Sequence, residues 1–269
     1  MGHGIAHAAL VAGFDTVLFD PVPEALARAR TAIDHIFTKA IERGVLAEAD
    51  AASARHRLRV TERLAQAVHH ADFVIEASPE QLELKLRLLR DVEAHAPARA
   101  VIASNTSALS LTELASVLTH PARLVGMHFF NPVHRMTLVE VVRGLETSPE
   151  TLEAAQAVAA RMKKETVVVR DSPGFVTSRV NVLIGNEAFY MLQEGVASAR
   201  DIDKAIKLGL NHPMGPFELV DLVGLDVRLS ILEFLHRTLG EKFRPCPLLV
   251  QYVKAGRLGR KVGKGVYEY

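Results

Sequence analysis

The chain has 269 residues, 49% apolar and 23% charged, and its 32 Lys plus Arg nearly cancel 31 Asp plus Glu, leaving a formal net charge of +1. That length suits about two domains of roughly 100–200 residues each, and the composition excludes disorder, collagen-like repeats and a disulfide-stapled miniprotein. The balanced charge offers no general attraction to nucleic acid or an anionic membrane, so an anionic ligand must be held locally.

From the N-terminus, Met1-Gly2-His3-Gly4-Ile5-Ala6 opens a helix that ends near Gly13, and the β-branched run Thr16–Asp20 predicts a strand. Pro23 to about Gly44 reads as a helix with Ile33, Ile36, Phe37, Ala40 and Ile41 on one face. Further strands are expected at Phe73–Ala77, Ala100–Ser104, Leu124–Met127, Leu138–Val142 and Thr166–Arg170. Leu152, Ala155, Ala159 and Met162 mark a helix before the last of these, with Ser148 as N-cap and Pro149 in its first turn. This alternation predicts an α/β unit with a mainly parallel sheet. Asp171-Ser172-Pro173-Gly174 then supplies the breakers of a domain junction, dividing the chain into residues 1–171 and 172–269. Val180, Leu183, Ile184, Ala188, Met191 and Leu192 place a long amphipathic helix in the second part, which should be all helical. No internal repeat or low-complexity segment is present.

Other features bound the class. The single cysteine, Cys246, cannot close an internal disulfide or build a Cys-based zinc site, which fits a reducing compartment and points to the cytoplasm. Without an apolar run near the ~18–20 residues of a membrane span or a cationic leader, neither a transmembrane helix nor a secretory signal is expected. His3 and His7 are four apart but lack a second ligand pair and the H-E-x-x-H glutamate, so no metal site is expected. His69 and His70 are adjacent and should splay apart on a helix.

The helix at Gly2 followed by the strand ending in Asp20 reads as the back of a dinucleotide-binding unit. Gly2 fits the third glycine of G-x-G-x-x-G, and Asp20 the acid that takes ribose hydroxyls. Read locally, Gly2 could equally be a flexible start and Asp20 a turn residue before Pro21. The motif's first strand and first two glycines do not appear, so the natural polypeptide is expected to start roughly a dozen residues upstream.

Small polar groups follow two central strands, in Ala103-Ser104-Asn105-Thr106-Ser107 and His128-Phe129-Phe130-Asn131-Pro132, and Glu140 lies twelve residues after His128. Strand C-termini are where open α/β sheets bind ligands. Together with Phe73-Val74-Ile75-Glu76-Ala77, Asp171-Ser172-Pro173-Gly174-Phe175, Pro213-Met214-Gly215-Pro216-Phe217-Glu218-Leu219 and the tail Gly259-Arg260-Lys261-Val262-Gly263-Lys264-Gly265, these segments resemble the L-3-hydroxyacyl-CoA dehydrogenase family, in particular short bacterial 3-hydroxybutyryl-CoA dehydrogenases. The resemblance covers essentially the whole chain. It implies a Rossmann-like doubly wound NAD-binding domain over 1–171, lacking its first strand, and an all-α domain over 172–269 for the substrate cleft and dimerisation.

By this resemblance His128 would be the catalytic base and Glu140 its orienting carboxylate. An imidazole, with an ordinary pKa of ~6.5, can take the proton that an alcohol loses as hydride departs. Ser107 would hydrogen-bond the substrate oxygen, and Ser107 with Asn105, Asn131, Glu80, Lys85 and Lys261 would contact NAD, although the Ser and Asn positions also suit backbone capping and Lys261 a solvated loop. Where many members carry an active-site asparagine this chain has Ser178, with Asn181 three residues on. Coenzyme A is anionic, and among Arg28, Arg30, Lys39 and Arg43 the pair Lys39 and Arg43 shares an i,i+4 face suited to it. The expectation is hydride transfer between NAD and a short-chain L-3-hydroxyacyl-CoA by a homodimer, with a related 3-hydroxy sugar acid dehydrogenase and a non-enzymatic crystallin-like or regulatory dimer as alternatives. The apolar face of the Val180–Leu192 helix, and the Leu and Val of Phe217–Leu235, are the sequence's own argument for a dimer.

Overall fold

The first helix, α1 (Gly2–Val11), is mostly apolar apart from His3 and His7, and residues 4–10 are buried, as in a helix packed on more than one side. Its Ile5, Ala8 and Ala9 join a core built on Val125, Met127 and Val141. Ala6 and Leu10 instead pack with Ile33 and Phe37. Gly13 ends the helix at φ +83°, and its left-handed turn lets the Phe14 N–H bond back to the Ala9 carbonyl at 3.0 Å.

The computed structural model describes residues 1–269 and divides them into two compact units, Met1–Ser172 and Pro173–Tyr269. In the first, α1 is followed by β1 (Thr16–Phe19), α2 (Pro23–Glu42), α3 (Glu48–His56) and β2 (Leu58–Thr61). β2 lies parallel to β1, and the two form a sheet of their own. Then come α4 (Leu64–Val68), β3 (Phe73–Glu76), α5 (Leu82–His95), β4 (Val101–Ser104), α6 (Leu111–Ala115), β5 (Leu124–Phe129), β6 (Leu138–Arg143), α7 (Pro149–Arg161) and β7 (Glu165–Arg170). These five strands make a second sheet in chain order, parallel throughout except that β5 and β6 run antiparallel. The doubly wound sheet is thus in two pieces, with β1 and β3 each paired on one side only.

Two elements of this unit carry no clear signal in the sequence. α3 and β2 are short, and the Leu58-Arg59-Val60-Thr61 run is too brief to show a period. β5 continues two residues past the expected end at Met127 and is buried along its whole length, so His128 lies within the strand. Nor do His69 and His70 splay apart: they stand in the turn after α4, with ring centroids 4.5 Å apart.

The second unit holds α8 (Thr177–Gln193), α9 (Ala199–Gly209), α10 (Pro216–Val223), α11 (Leu225–Leu239) and α12 (Pro247–Lys254). Phe189, Phe217, Leu232, Leu235 and Phe243 centre its core. Buried carboxylates stitch the helices together. Asp203 accepts from the Phe217 and Glu218 N–H groups, at 2.8 and 3.1 Å, and from the Tyr267 hydroxyl. Asp221 accepts from the Val266 and Tyr267 N–H groups of the tail, and a Cβ at Gly265 would sit 2.0 Å from its Oδ1, so the tail can close only over glycine. Val180 of α8, Leu222 and Val223 of α10 and Val227 of α11 remain exposed. No helix of either unit is long and apolar enough to cross a membrane.

Candidate active site

Antiparallel pairing sets His128 of β5 opposite Glu140 of β6. Side chains directly opposite on neighbouring strands share a face, and here His128 Nδ1 lies 2.7 Å from Glu140 Oε2. Glu140 is wholly buried and His128 nearly so, with the Phe130 ring 4.6 Å from the imidazole. β6 is an interior strand, so Glu140 is not a charge on a sheet edge. With Nδ1–H donated to the carboxylate, the ring's basic atom is Nε2.

The ends of β3 and β4 supply the neighbouring groups. Glu76 and Ser104 are register partners, and the Ser104 hydroxyl donates to Glu76 Oε2 at 2.6 Å. Asn105, the next residue, accepts the Phe129 N–H on Oδ1 at 2.8 Å and so ties the end of β4 to that of β5. Ser107 is half-buried in the following turn. There, Glu80 Oε1 accepts from the Thr106 hydroxyl at 2.6 Å, the Ser107 N–H at 2.8 Å and the Ala108 N–H at 3.0 Å, with the Ser107 hydroxyl at 3.3 Å. The structure therefore brings Glu80, Asn105, Ser107 and His128 to the C-terminal edge of one sheet. Lys85 differs from its expected part as a direct cofactor contact. It is fully buried on α5, and its three N–H donors go to both oxygens of Glu76, at 2.8 and 2.9 Å, and to the Ser78 carbonyl at 3.1 Å.

A cavity of about 220 Å³ opens at the N-terminus of α1, lined by Met1, His3, Gly4, His35 of α2, Asn131 and His134 among others. The N-cap position Met1 has no side chain bonded to the helix's leading N–H groups, which leaves a partly positive end suited to an anion. Gly2 is not forced by packing within the protein, since a Cβ there would meet only a Leu18 methyl at 3.9 Å. Gly4 is the tighter position, 3.1 Å from Val133. Asp20 stands at the end of β1, with its Oδ1 accepting the Val22 N–H at 3.0 Å. An anion-ready helix end and a carboxylate at a strand terminus fit a dinucleotide.

The remaining expected residues are held as follows. Lys39 is exposed on α2 and paired with Glu42 at 2.7 Å, while Arg43 is the exposed C-cap residue of that helix. In the helical unit Lys261 is bound to Asp226 at 2.6 Å, so it is not simply a solvated loop charge. Ser178 is half-buried in the first turn of α8. With its amide oxygen facing α11, Asn181 accepts from both terminal nitrogens of Arg228 at 3.1 and 3.3 Å. That engages the amide one turn from Ser178. Sequence reading assigned no role to Glu76 or Thr106; an acid closing the apolar run Phe73-Val74-Ile75 was the available signal for Glu76. The structure contains no grouping of three or more His, Cys, Asp or Glu that could hold a metal.

Comparison with known proteins covers both units. Residues 1–172 match the family described as 3-hydroxyacyl-CoA dehydrogenase, NAD binding domain, and residues 174–269 match the corresponding C-terminal domain. The chain is 46% identical over 270 residues to a probable 3-hydroxybutyryl-CoA dehydrogenase of Bacillus subtilis, spanning 100% of this chain and 94% of that protein. It is 36% identical over 276 residues to the mitochondrial hydroxyacyl-coenzyme A dehydrogenase of Sus scrofa, spanning 100% and 88% respectively. The crystal structure of (S)-3-hydroxybutyryl-CoA dehydrogenase from Ralstonia eutropha is similar at a TM-score of 0.97 and 41% identity, covering 100% of this chain and 95% of that one. Alike over its whole length in sequence and in fold, the chain belongs to the 3-hydroxyacyl-CoA dehydrogenase family and is an NAD-dependent oxidoreductase of 3-hydroxyacyl-CoA.

Proposed function

We propose that this dehydrogenase interconverts short-chain L-3-hydroxyacyl-CoA, of the four-carbon kind named in its bacterial relatives, with the 3-oxo thioester. His128 is the proton acceptor, Glu140 its orienting group and Ser107 the contact to the substrate oxygen. The observation that carries this reading is the buried 2.7 Å contact between His128 and Glu140. When bound, NAD supplies the hydride acceptor. The alcohol's proton passes to Nε2 of His128, and the imidazolium so formed faces the Glu140 carboxylate across Nδ1. In reduction the same nitrogen returns the proton to the substrate oxygen. Burial makes the carboxylate effective, because the attraction is not screened by solvent.

The first turn of α1 with Gly2, and Asp20, Glu80, Asn105 and Asn131, hold the cofactor, with Lys261 as a further contact and Lys85 acting from inside. Lys39 and Arg43 meet the anionic coenzyme, and Ser178 completes the polar set around the substrate. The exposed Val180, Leu222, Val223 and Val227 support a homodimer through the helical unit. The lone, buried Cys246 supports a reducing compartment such as the cytoplasm. The test is His128→Gln, which keeps size and polarity but cannot act as the base. Turnover of 3-hydroxybutyryl-CoA with NAD should fall at least ~100-fold, the lower end of general base catalysis. Near-normal turnover would reject the assignment.

A further inference from the structure

Glu76 and Lys85 form an ion pair from which solvent is excluded on both sides, with side-chain exposures of 1% and 0%. Such a pair contributes little net stability compared with two apolar side chains of similar volume, so its use must be sought in its geometry. Glu76 is saturated. Its Oε1 accepts from the Ser78 N–H and hydroxyl and from Lys85, and its Oε2 from Ser104 and Lys85. The Lys85 ammonium, bonded to Glu76 and to the Ser78 carbonyl, is therefore a fixed positive charge.

That charge lies 3.7 Å from Glu80 Oε2. Of the three charged groups only Glu80 is open to solvent, with its side chain 37% exposed, and a solvated glutamate loses several rotamers when it is held in one place. Its other oxygen is the acceptor on which the Thr106–Ala108 turn closes. We propose that the buried Glu76–Lys85 pair is a positioning device for Ser107, acting through Glu80. The inference rests on Ser107 meeting the substrate oxygen. Two N–H bonds of 2.8 and 3.0 Å fix the backbone of the turn, whereas the Ser107 hydroxyl contact, at 3.3 Å, is the longest of the four. The turn is held and the hydroxyl is left able to swing from Glu80 to substrate. Glu76, Lys85 and Glu80 are positioning residues in this scheme.

The experiment is a double-mutant cycle in the full chain between the neutral replacement Glu76→Gln/Lys85→Met, which strands no buried charge, and Ser107→Ala. Turnover is followed by NADH oxidation with acetoacetyl-CoA. The neutral pair should lower kcat about tenfold when Ser107 is present and less than about twofold in the Ser107→Ala background, because both changes act on one group. In the absence of cofactor, exchange of the Ser107 and Ala108 amide hydrogens should accelerate at least about tenfold, while β4 amides stay protected. Equal losses in both backgrounds, or unchanged exchange, overturn the proposal. If the neutral pair does not fold, Glu80→Gln weakens the attraction with the core intact, and the same cycle and exchange measurement, applied to it, support or overturn the proposal by the same outcomes. Should Ser107→Ala alone leave kcat unaltered, the substrate assignment of Ser107 fails and the proposal with it. Impairment by Ser107→Ala together with additivity sinks the positioning role alone.

Discussion

His7 sits in the middle of α1 with both ring nitrogens buried and neither bonded to a protein group, its ring 4.5 Å from Phe37. Burial, reinforced by the like charges of His134, Lys164 and His3, pulls its pKa down to about 4. Unfolded, the imidazole titrates near ~6.5. The folded value is the depressed one, so the neutral ring's contribution is present in full above the unfolded pKa and is lost as the pH falls through the folded pKa. Linkage between those two values gives a loss of about 2 kcal/mol on going from about pH 7 to pH 5, out of about 3.4 kcal/mol reached well below pH 4. For a unit of this size that is a fall of ~4–8 °C in melting temperature. His3 and His134 are lowered too, chiefly by burial, and they steepen the wild-type response. The comparison with His7→Leu, which is close in volume and carries no titratable group, isolates the one ring. Urea unfolding at the two pH values should show the variant losing about 2 kcal/mol less than wild type. Equal losses would show that His7 charges in the folded state and that its two nitrogens are not the buried acid-labile point of α1.

Replacing the acid of β1, Asp20→Ser, should narrow the preference for NAD over NADP at least ~10-fold in kcat/KM, since a carboxylate accepts from a 2′-hydroxyl and repels a 2′-phosphate. An unchanged ratio would place Asp20 outside the ribose site. Gly126→Ala would bring a Cβ within 2.7 Å of the Val142 Cβ across the β5–β6 pair. It should destabilise the first unit by about 1–3 kcal/mol and lower turnover together, and wild-type values of both in thermal unfolding and steady-state assays would refute a role for that close approach in holding the register. Light scattering at micromolar concentration should give a mass twice that of the chain, and a monomeric mass would reject the helical unit's exposed apolar side chains as a dimer face.

The elements legible in the sequence were those with long periods or strong punctuation. α2 carried a repeating apolar face from Ile33 to Ile41, α7 a Ser148 cap whose hydroxyl does accept the Thr151 N–H, and the parallel strands near-continuous apolar runs. α3 and β2 were not legible because their stabilisation is tertiary: Ala51 and Ala54 are buried against Phe37 and Leu10, and alanines carry little pattern of their own. The same limit applied at the site. Polar residues at strand ends were visible as a set, but the Glu76–Lys85 pair was not, because a lysine four residues into a helix looks the same in sequence whether it faces solvent or, as here, is swallowed whole.

His128 and Glu140 show what had to be supplied by the fold. A spacing of twelve says only that the two can be neighbours. In a strand pair with an eight-residue connection, residues 130–137, no tight-turn rule fixes the register, and a slip by one residue would turn Glu140 to the opposite face of the sheet. Contacts away from the chemistry support this register. Gly126 accepts Val142 as its partner two positions along from the pair, where a Cβ on Gly126 would collide with the Val142 side chain, and the Lys164 ammonium ties the connection down by bonding the Val133 and Met136 carbonyls at 2.6 and 2.7 Å. Each of those residues is unremarkable when read alone. Because antiparallel pairing moves in steps of whole residues, the close approach at Gly126 and the tied connection both favour the one register in which the imidazole meets a buried carboxylate.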